Sequence, residues 1–103
     1  MKRRFACLLG CVLSFGVSAD ELSPTRQQEL LNMLKHDCGS CHGLPPKGGL
    51  GPSLMPDSLA DKSDALLIAA IRDGRAGTAM PSWKPFLTDR EIAWMVGRLR
   101  QGY

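Results

Sequence analysis

The sequence of 103 residues predicts a small all-α domain with three main helices and two long loops. Three segments repeat apolar residues at the three- and four-residue spacing of an amphipathic helix, and each begins at a residue that caps helices well. The segments between them are rich in glycine and proline, which favours ordered loops over regular structure. No segment alternates apolar and polar residues in the way that predicts a strand.

The first helix is predicted from about Pro24 to His36. Ser23 is a suitable N-cap, and Pro24 fits the first helical position because its missing N–H is not needed there. The apolar face of this helix comprises Leu30, Leu31, Leu34 and then Cys38. The helix therefore leads directly to a pair of cysteines.

The middle of the chain is predicted to contain one loop and one main helix. Residues 43–56 form the loop, and a short helical turn follows around residues 57–60. The second main helix is predicted from about Ser63 to Arg72, and Gly74 suits the position after its end. Its apolar stripe comprises Leu67, Ile68 and Ile71.

The third helix has the clearest beginning. After a second loop over residues 74–87, Thr88 and Glu91 have the spacing of a capping box. The apolar face of this helix comprises Ile92, Met95, Val96 and Leu99. We expect it to close the domain at the C-terminus.

The N-terminal segment is predicted to be a cleaved secretory signal peptide over residues 1–19, which leaves a mature domain of residues 20–103. It has a cationic start at residues 2–4 and an apolar run over residues 5–17. That run is shorter than the about 20 residues that a membrane-spanning helix needs, so we expect no stable membrane insertion. An alternative stays open, because the residues ending in Cys11 resemble a lipobox, which would lipidate that cysteine.

The charge of the mature domain is balanced. The formal net charge of +3 reflects 13 Lys and Arg against 10 Asp and Glu, and three of the basic residues are Lys2, Arg3 and Arg4. Without the signal peptide the chain is therefore formally neutral, which gives no reason to expect nucleic acid binding. A domain this short has a marginal core and usually needs a bound group or a cross-link to stabilise its fold.

The motif Cys38-Gly39-Ser40-Cys41-His42 predicts that the stabilising bound group is haem. C-x-x-C-H is the attachment sequence of c-type haem, in which two thiols add across the vinyl groups of one porphyrin and the histidine faces the iron. We therefore predict one covalently bound haem c per chain, with the helices and loops wrapped around it. A thioredoxin-like pair would need a strand–helix context, and a zinc site would need a second, distant pair of ligands.

His42 is the predicted axial ligand on one side of the iron. A ligating histidine usually donates its other ring N–H to an acceptor, which fixes the ring and raises its basicity. The carbonyl of Pro52 is the expected acceptor. The alternative is that Pro52 serves only as a turn residue.

Met80 is the predicted ligand on the opposite side. The candidates are Met33, Met55, Met80, Met95 and His36. Met80 lies in an extended segment, because Pro81 disfavours helical geometry at the preceding residue. A thioether stabilises ferrous iron, and a six-coordinate iron leaves no position for a substrate.

Other side chains are expected around the haem. Arg75 and Lys84 are candidate partners of the propionates, and Trp83 is a candidate donor to them. The expected apolar shell comprises Leu50, Leu54, Leu59, Leu67, Ile68, Ile71, Trp83, Phe86 and Leu87.

Residues 35–44, 47–52 and 73–83 together carry a resemblance to a known family. The mature chain resembles the class I cytochromes c, and more narrowly the cytochrome c55X group, which accompanies the dissimilatory nitrite reductase system of denitrifying bacteria. The resemblance implies Cys38 and Cys41 as haem attachment sites, with His42 and Met80 as axial ligands.

The resemblance also implies a function. The expected protein is a periplasmic electron carrier and not an enzyme. Its partner would be cytochrome cd1 nitrite reductase or a protein that matures the d1 haem of that reductase. The alternative is an accessory role in d1 haem maturation itself, and we expect a monomer in either case.

Overall fold

The computed structural model of the chain describes residues 10–11 and 22–103. The predictions of a signal peptide and of a lipobox concern residues 1–19 and lie outside the described residues, apart from Gly10 and Cys11. The described chain consists of helices and loops without a strand, which confirms the all-α prediction. None of the helices in this part of the chain is long and apolar enough to cross a membrane.

The first helical stretch runs longer than the sequence predicts. Helix α1 (Pro24–Met33) continues through a π-helical turn (Leu34–Cys38) into helix α2 (Gly39–His42). Ser23 Oγ accepts a hydrogen bond from Arg26 N at 3.1 Å and caps α1 as expected.

The predicted end of this helix at His36 is therefore wrong. Although Gly39 and Ser40 are weak helix formers, packing of the helix carries it through them. Leu34 is fully buried, and its carbonyl accepts the Gly39 N–H in the i to i+5 pattern of a π-helix. Gly43 then ends the helix with a φ of 93°.

Three further helices follow. They are α3 (Pro56–Leu59), α4 (Asp64–Asp73) and α5 (Asp89–Gln101). Ser63 Oγ caps α4 by accepting from Leu66 N at 3.1 Å, and Gly74 follows it with a φ of 72°. These bounds confirm the second predicted main helix to within one residue and the predicted start of the third.

The capping box of α5 is present and makes a contact that the sequence did not predict. Thr88 Oγ1 accepts from Glu91 N at 3.2 Å, and Thr88 N donates to Glu91 Oε1 at 2.9 Å. The other carboxylate oxygen of Glu91 pairs with Arg26 Nε on α1. This buried carboxylate therefore links the first and last helices of the domain.

The hydrophobic core is formed by residues of α1, the π-helical turn, α3 and α5, together with Leu87 from the loop before α5. Its buried residues are Leu30, Leu34, Leu59, Leu87, Ile92, Met95, Val96 and Leu99. Helix α4 packs against α5 but contributes no buried residue. Of the predicted haem shell, Leu59 and Leu87 belong to this core, whereas Leu50 is 81% exposed and Phe86 is 66% exposed.

Candidate haem-attachment site

The predicted attachment motif lies at the end of the first helical stretch. Cys38 is the last residue of the π-helical turn, and Cys41 and His42 lie in α2. Side chains three positions apart on a helix lie on one face, so this geometry presents both thiols to the same side. None of the three described cysteines, Cys11, Cys38 and Cys41, forms a disulfide.

The Cys38 thiol has an apolar environment. Burial raises its pKa to about 11, and the negative charge of Asp37 adds to the rise. The side chain packs against the hydrophobic core. The thiol is therefore uncharged near neutral pH, and an uncharged thioether suits the same position.

His42 is held by the hydrogen bond that the sequence predicts. The side chain is buried, and Nδ1 lies 2.7 Å from the carbonyl oxygen of Pro52. Because a carbonyl can only accept, Nδ1 carries the proton and donates it. Nε2 is then the ring nitrogen with a free lone pair, which is the nitrogen that a metal would bind.

Glycines of the following loop allow it to lie against the motif. A Cβ on Gly51 would lie 2.6 Å from His42 Cε1, and a Cβ on Gly49 would lie 2.8 Å from the Cys41 carbonyl oxygen. Gly51 N also donates to the Cys41 carbonyl at 2.9 Å. Residues with side chains would displace the loop from the histidine ring.

These residues fit a covalently attached haem. Two thiols lie one helical turn apart, and the adjacent imidazole has its Nδ1–H satisfied by the protein and its Nε2 left to bind iron. Within residues 10–11 and 22–103, no group of three His, Cys, Asp or Glu side chains forms a site for another metal ion.

Met80 lies in the segment after α4, where its side chain is half-buried. Its carbonyl accepts from Arg75 N at 3.2 Å, and its N–H donates to Thr78 Oγ1 at 3.3 Å. A Cβ on Gly74 would lie 2.8 Å from the Met80 carbonyl and 2.7 Å from the carbonyl carbon of Pro81. The end of α4 therefore fixes the backbone of this methionine.

The other candidate ligands have different surroundings. Met95 is only 1% exposed and belongs to the core, and Met33 packs against that core from α1. Met55 is half-buried in the loop before α3, and His36 is exposed on the π-helical turn. The positions of Met33 and Met95 support their interpretation as core residues.

The predicted propionate partners are available for such a role. Within the described part of the chain, neither Arg75 nor Lys84 forms an ion pair with a carboxylate. Arg75 lines an open groove of about 470 Å³ between α4 and the segment that leads to Met80, together with small residues such as Ala69 and Ala70. Trp83 meets the ring of Phe86 edge to face at 6.1 Å.

Two residues near the motif make hydrogen bonds that were not predicted from the sequence. The Tyr103 hydroxyl donates to the Leu34 carbonyl at 3.2 Å, which adds a second donor to the carbonyl at the start of the π-helical turn. Ser53, next to Pro52, makes three hydrogen bonds through its hydroxyl. Neither residue stands in a pattern that predicts these partners.

Comparisons with known proteins show which family this chain belongs to. Residues 25–97 match the family model described as cytochrome C oxidase, cbb3-type, subunit III. Cytochrome c55X of Stutzerimonas stutzeri is 51% identical over 78 residues, which cover 76% of this chain and 69% of that protein.

Two solved structures are also similar. The c-type cytochrome NirC has a TM-score of 0.76 at 42% identity, over 78% of this chain and 94% of that one. Dihydro-heme d1 dehydrogenase NirN, solved in complex with DHE, has a TM-score of 0.65 at 32% identity. The latter match covers 71% of this chain but only 16% of the dehydrogenase.

Proposed function

The chain belongs to the c-type cytochromes, in the group of the cytochromes c55X, and from this premise we propose that it is a periplasmic carrier of single electrons. When bound through Cys38 and Cys41, haem c supplies one-electron redox chemistry at its iron. The observation that carries the proposal is the His42 ring beside the two thiols, with Nδ1 held by the Pro52 carbonyl at 2.7 Å.

In this proposal, His42 Nε2 and the Met80 sulfur are the axial ligands. The Pro52 carbonyl keeps the imidazole in one tautomer and orientation, and the hydrogen bonds of the Met80 backbone limit its movement. A neutral thioether favours the ferrous state and raises the reduction potential. If His42 and Met80 both held the iron, no position would be left for a substrate, which would suit electron transfer and not catalysis.

Processing and location follow from the N-terminal segment. We propose that residues 1–19 are removed during export and that residues 20–103 form the periplasmic cytochrome domain. The proposed partners are redox proteins of the nitrite reductase system, because the cytochromes c55X resemble this chain over most of its length. We also propose that the domain acts as a monomer.

One experiment tests attachment, ligation and processing together. The exported protein is purified, its mass is measured, and its visible spectrum is recorded in the oxidised and reduced states. We expect an N-terminus at Asp20, the added mass of one haem, and the charge-transfer band of sulfur–iron ligation. A colourless product whose Cys38 and Cys41 thiols both react with an alkylating reagent would contradict the proposal.

A second candidate function is an accessory role in d1 haem maturation. It is favoured by the similarity of this chain to part of dihydro-heme d1 dehydrogenase, at 32% identity and a TM-score of 0.65. Here the same redox centre would exchange electrons with a biosynthetic enzyme. Deletion of the gene separates the two functions, since loss of d1 haem from purified nitrite reductase favours maturation. Intact d1 haem with slow nitrite turnover favours the electron carrier.

A further inference from the structure

We propose that Ser53 is a positioning residue for His42, acting through the carbonyl of Pro52. The inference deepens the proposed function and rests on it, because it concerns how the chain tunes the proposed histidine ligand. Ser53 is not expected to touch the haem. Its hydroxyl fixes the loop that carries the acceptor of the His42 Nδ1–H.

The Ser53 hydroxyl uses its full hydrogen-bonding capacity. It accepts from Met55 N at 3.2 Å and from Ser58 Oγ at 3.0 Å, and it donates to the Pro46 carbonyl at 3.4 Å. A hydroxyl has one proton to donate and two lone pairs to accept with. The three bonds join the start of the loop, the end of the loop and helix α3 at one oxygen atom.

Backbone hydrogen bonds from residues such as Gly48 and Gly51 hold parts of this loop, and the Ser53 side chain adds bonds beside a position that has no N–H. Prolines at positions 45, 46, 52 and 56 have no N–H. Before Pro52, the Gly51 N–H donates to the Cys41 carbonyl at 2.9 Å, and after it the Leu54 N–H donates to the Pro46 carbonyl at 2.8 Å. Pro52 itself cannot donate, so the adjacent Ser53 hydroxyl helps to hold its carbonyl in place.

The hydrogen bond to the Pro52 carbonyl affects how strongly the His42 ring would donate electrons to a bound iron. At 2.7 Å the Nδ1–H···O bond is at the short end of the range for N–H donors, so it transfers much electron density to the ring. A more basic imidazole stabilises ferric iron relative to ferrous iron. Loosening the loop would lengthen this bond and shift the equilibrium toward the reduced state.

The test uses holoprotein carrying Ser53→Ala. We measure the ratio of reduced to oxidised protein against a reference redox couple, and the exchange rate of the His42 Nδ1–H by NMR in the reduced state. We expect the ratio to rise about threefold, because Ser53 acts on His42 only through Pro52, whereas loss of a direct partner of a metal ligand costs about 10- to 100-fold in metal affinity or activity. The exchange rate should rise as well.

Three further variants separate positioning from general stability. Ser53→Thr keeps the hydroxyl and should restore both values toward the wild type. Ser58→Ala removes one of the three bonds and should shift both values in the same direction by less, which keeps the test available if Ser53→Ala yields no holoprotein. Ser63→Ala removes the cap of α4, away from the loop, and should lower stability without changing the Nδ1–H exchange.

The results that would overturn the inference are distinct from those that would overturn the proposed function. Unchanged ratio and exchange in Ser53→Ala, or equal changes in Ser53→Ala and Ser53→Thr, would refute the positioning role. Should Ser53→Ala yield no holoprotein, unchanged values in Ser58→Ala would refute it. A wild-type protein without a His42-ligated haem would refute both.

Discussion

Replacing Glu91 by glutamine is expected to weaken the link between the first and last helices. The Glu91 side chain is 10% exposed, and one of its oxygens pairs with Arg26 Nε while the other accepts from Thr88 N at 2.9 Å. Glutamine can still accept from Thr88 N, so the substitution removes the charge and leaves the capping box in place.

The expected loss is about 2 kcal/mol of the free energy of unfolding. A hydrogen bond to a charged group contributes about 1.5–3 kcal/mol. The lower half of that range applies because the Arg26 side chain is 31% exposed, so water can replace part of the lost interaction. The matched control is Glu29→Gln, which removes the other carboxylate partner of Arg26 at a side chain that is 56% exposed. We expect this control to cost less than about 0.5 kcal/mol.

The measurement is denaturant unfolding of the holoprotein at several pH values. The hydrogen bond from Arg26 lowers the pKa of Glu91, despite the opposing effect of burial. A carboxyl group whose pKa is lowered on folding stabilises the fold above its unfolded pKa of about 4.3, and this contribution is lost as the pH falls through the folded pKa. The difference between the wild type and Glu91→Gln should therefore be full at neutral pH and shrink in acid. A cost equal to that of Glu29→Gln, or one independent of pH, would refute the reasoning.

Two further predictions concern the site. Gly51→Ala places a Cβ 2.6 Å from the His42 ring, so it should lower the free energy of unfolding by about 1–3 kcal/mol and lower the yield of holoprotein. The control Gly97→Ala places a Cβ in open space on α5 and should raise the free energy of unfolding by about 0.5–1 kcal/mol. Thermal unfolding and haem content are measured for both variants. Equal changes in stability and haem content for Gly51→Ala and Gly97→Ala would contradict close packing of Gly51 against the histidine. Met80→Ala should abolish the sulfur–iron charge-transfer band and lower the reduction potential, while Met55→Ala should keep the band. Retention of the band in Met80→Ala would reject Met80 as the ligand.

Features that depend on neighbouring residues were predicted well from the sequence. The N-cap at Ser23 and the capping box at Thr88 were confirmed, because a side-chain oxygen and an N–H three residues later meet in any helix that begins there. The Pro52 acceptor was also confirmed. Pro52 lies ten residues after His42, in the loop that follows it, so few carbonyl groups are close enough to accept the ring N–H.

Long-range packing sets how far the first helix continues and what holds the first and last helices together. Burial of Leu34 and the bond from Tyr103 support the π-helical turn, and the helix continues into α2 although Gly39 and Ser40 are weak helix formers. The pair of Arg26 and Glu91 joins residues 65 positions apart.

The helix starts, the haem motif and the need for an acceptor at His42 were predictable from local sequence, because each depends on chemistry within a few residues. The partner of Glu91 across the core, Arg26, and the partners of Ser53 and Tyr103 became known only from the folded arrangement. A charged or polar side chain has many possible partners along a chain, and packing of the core selects which of them lies within reach.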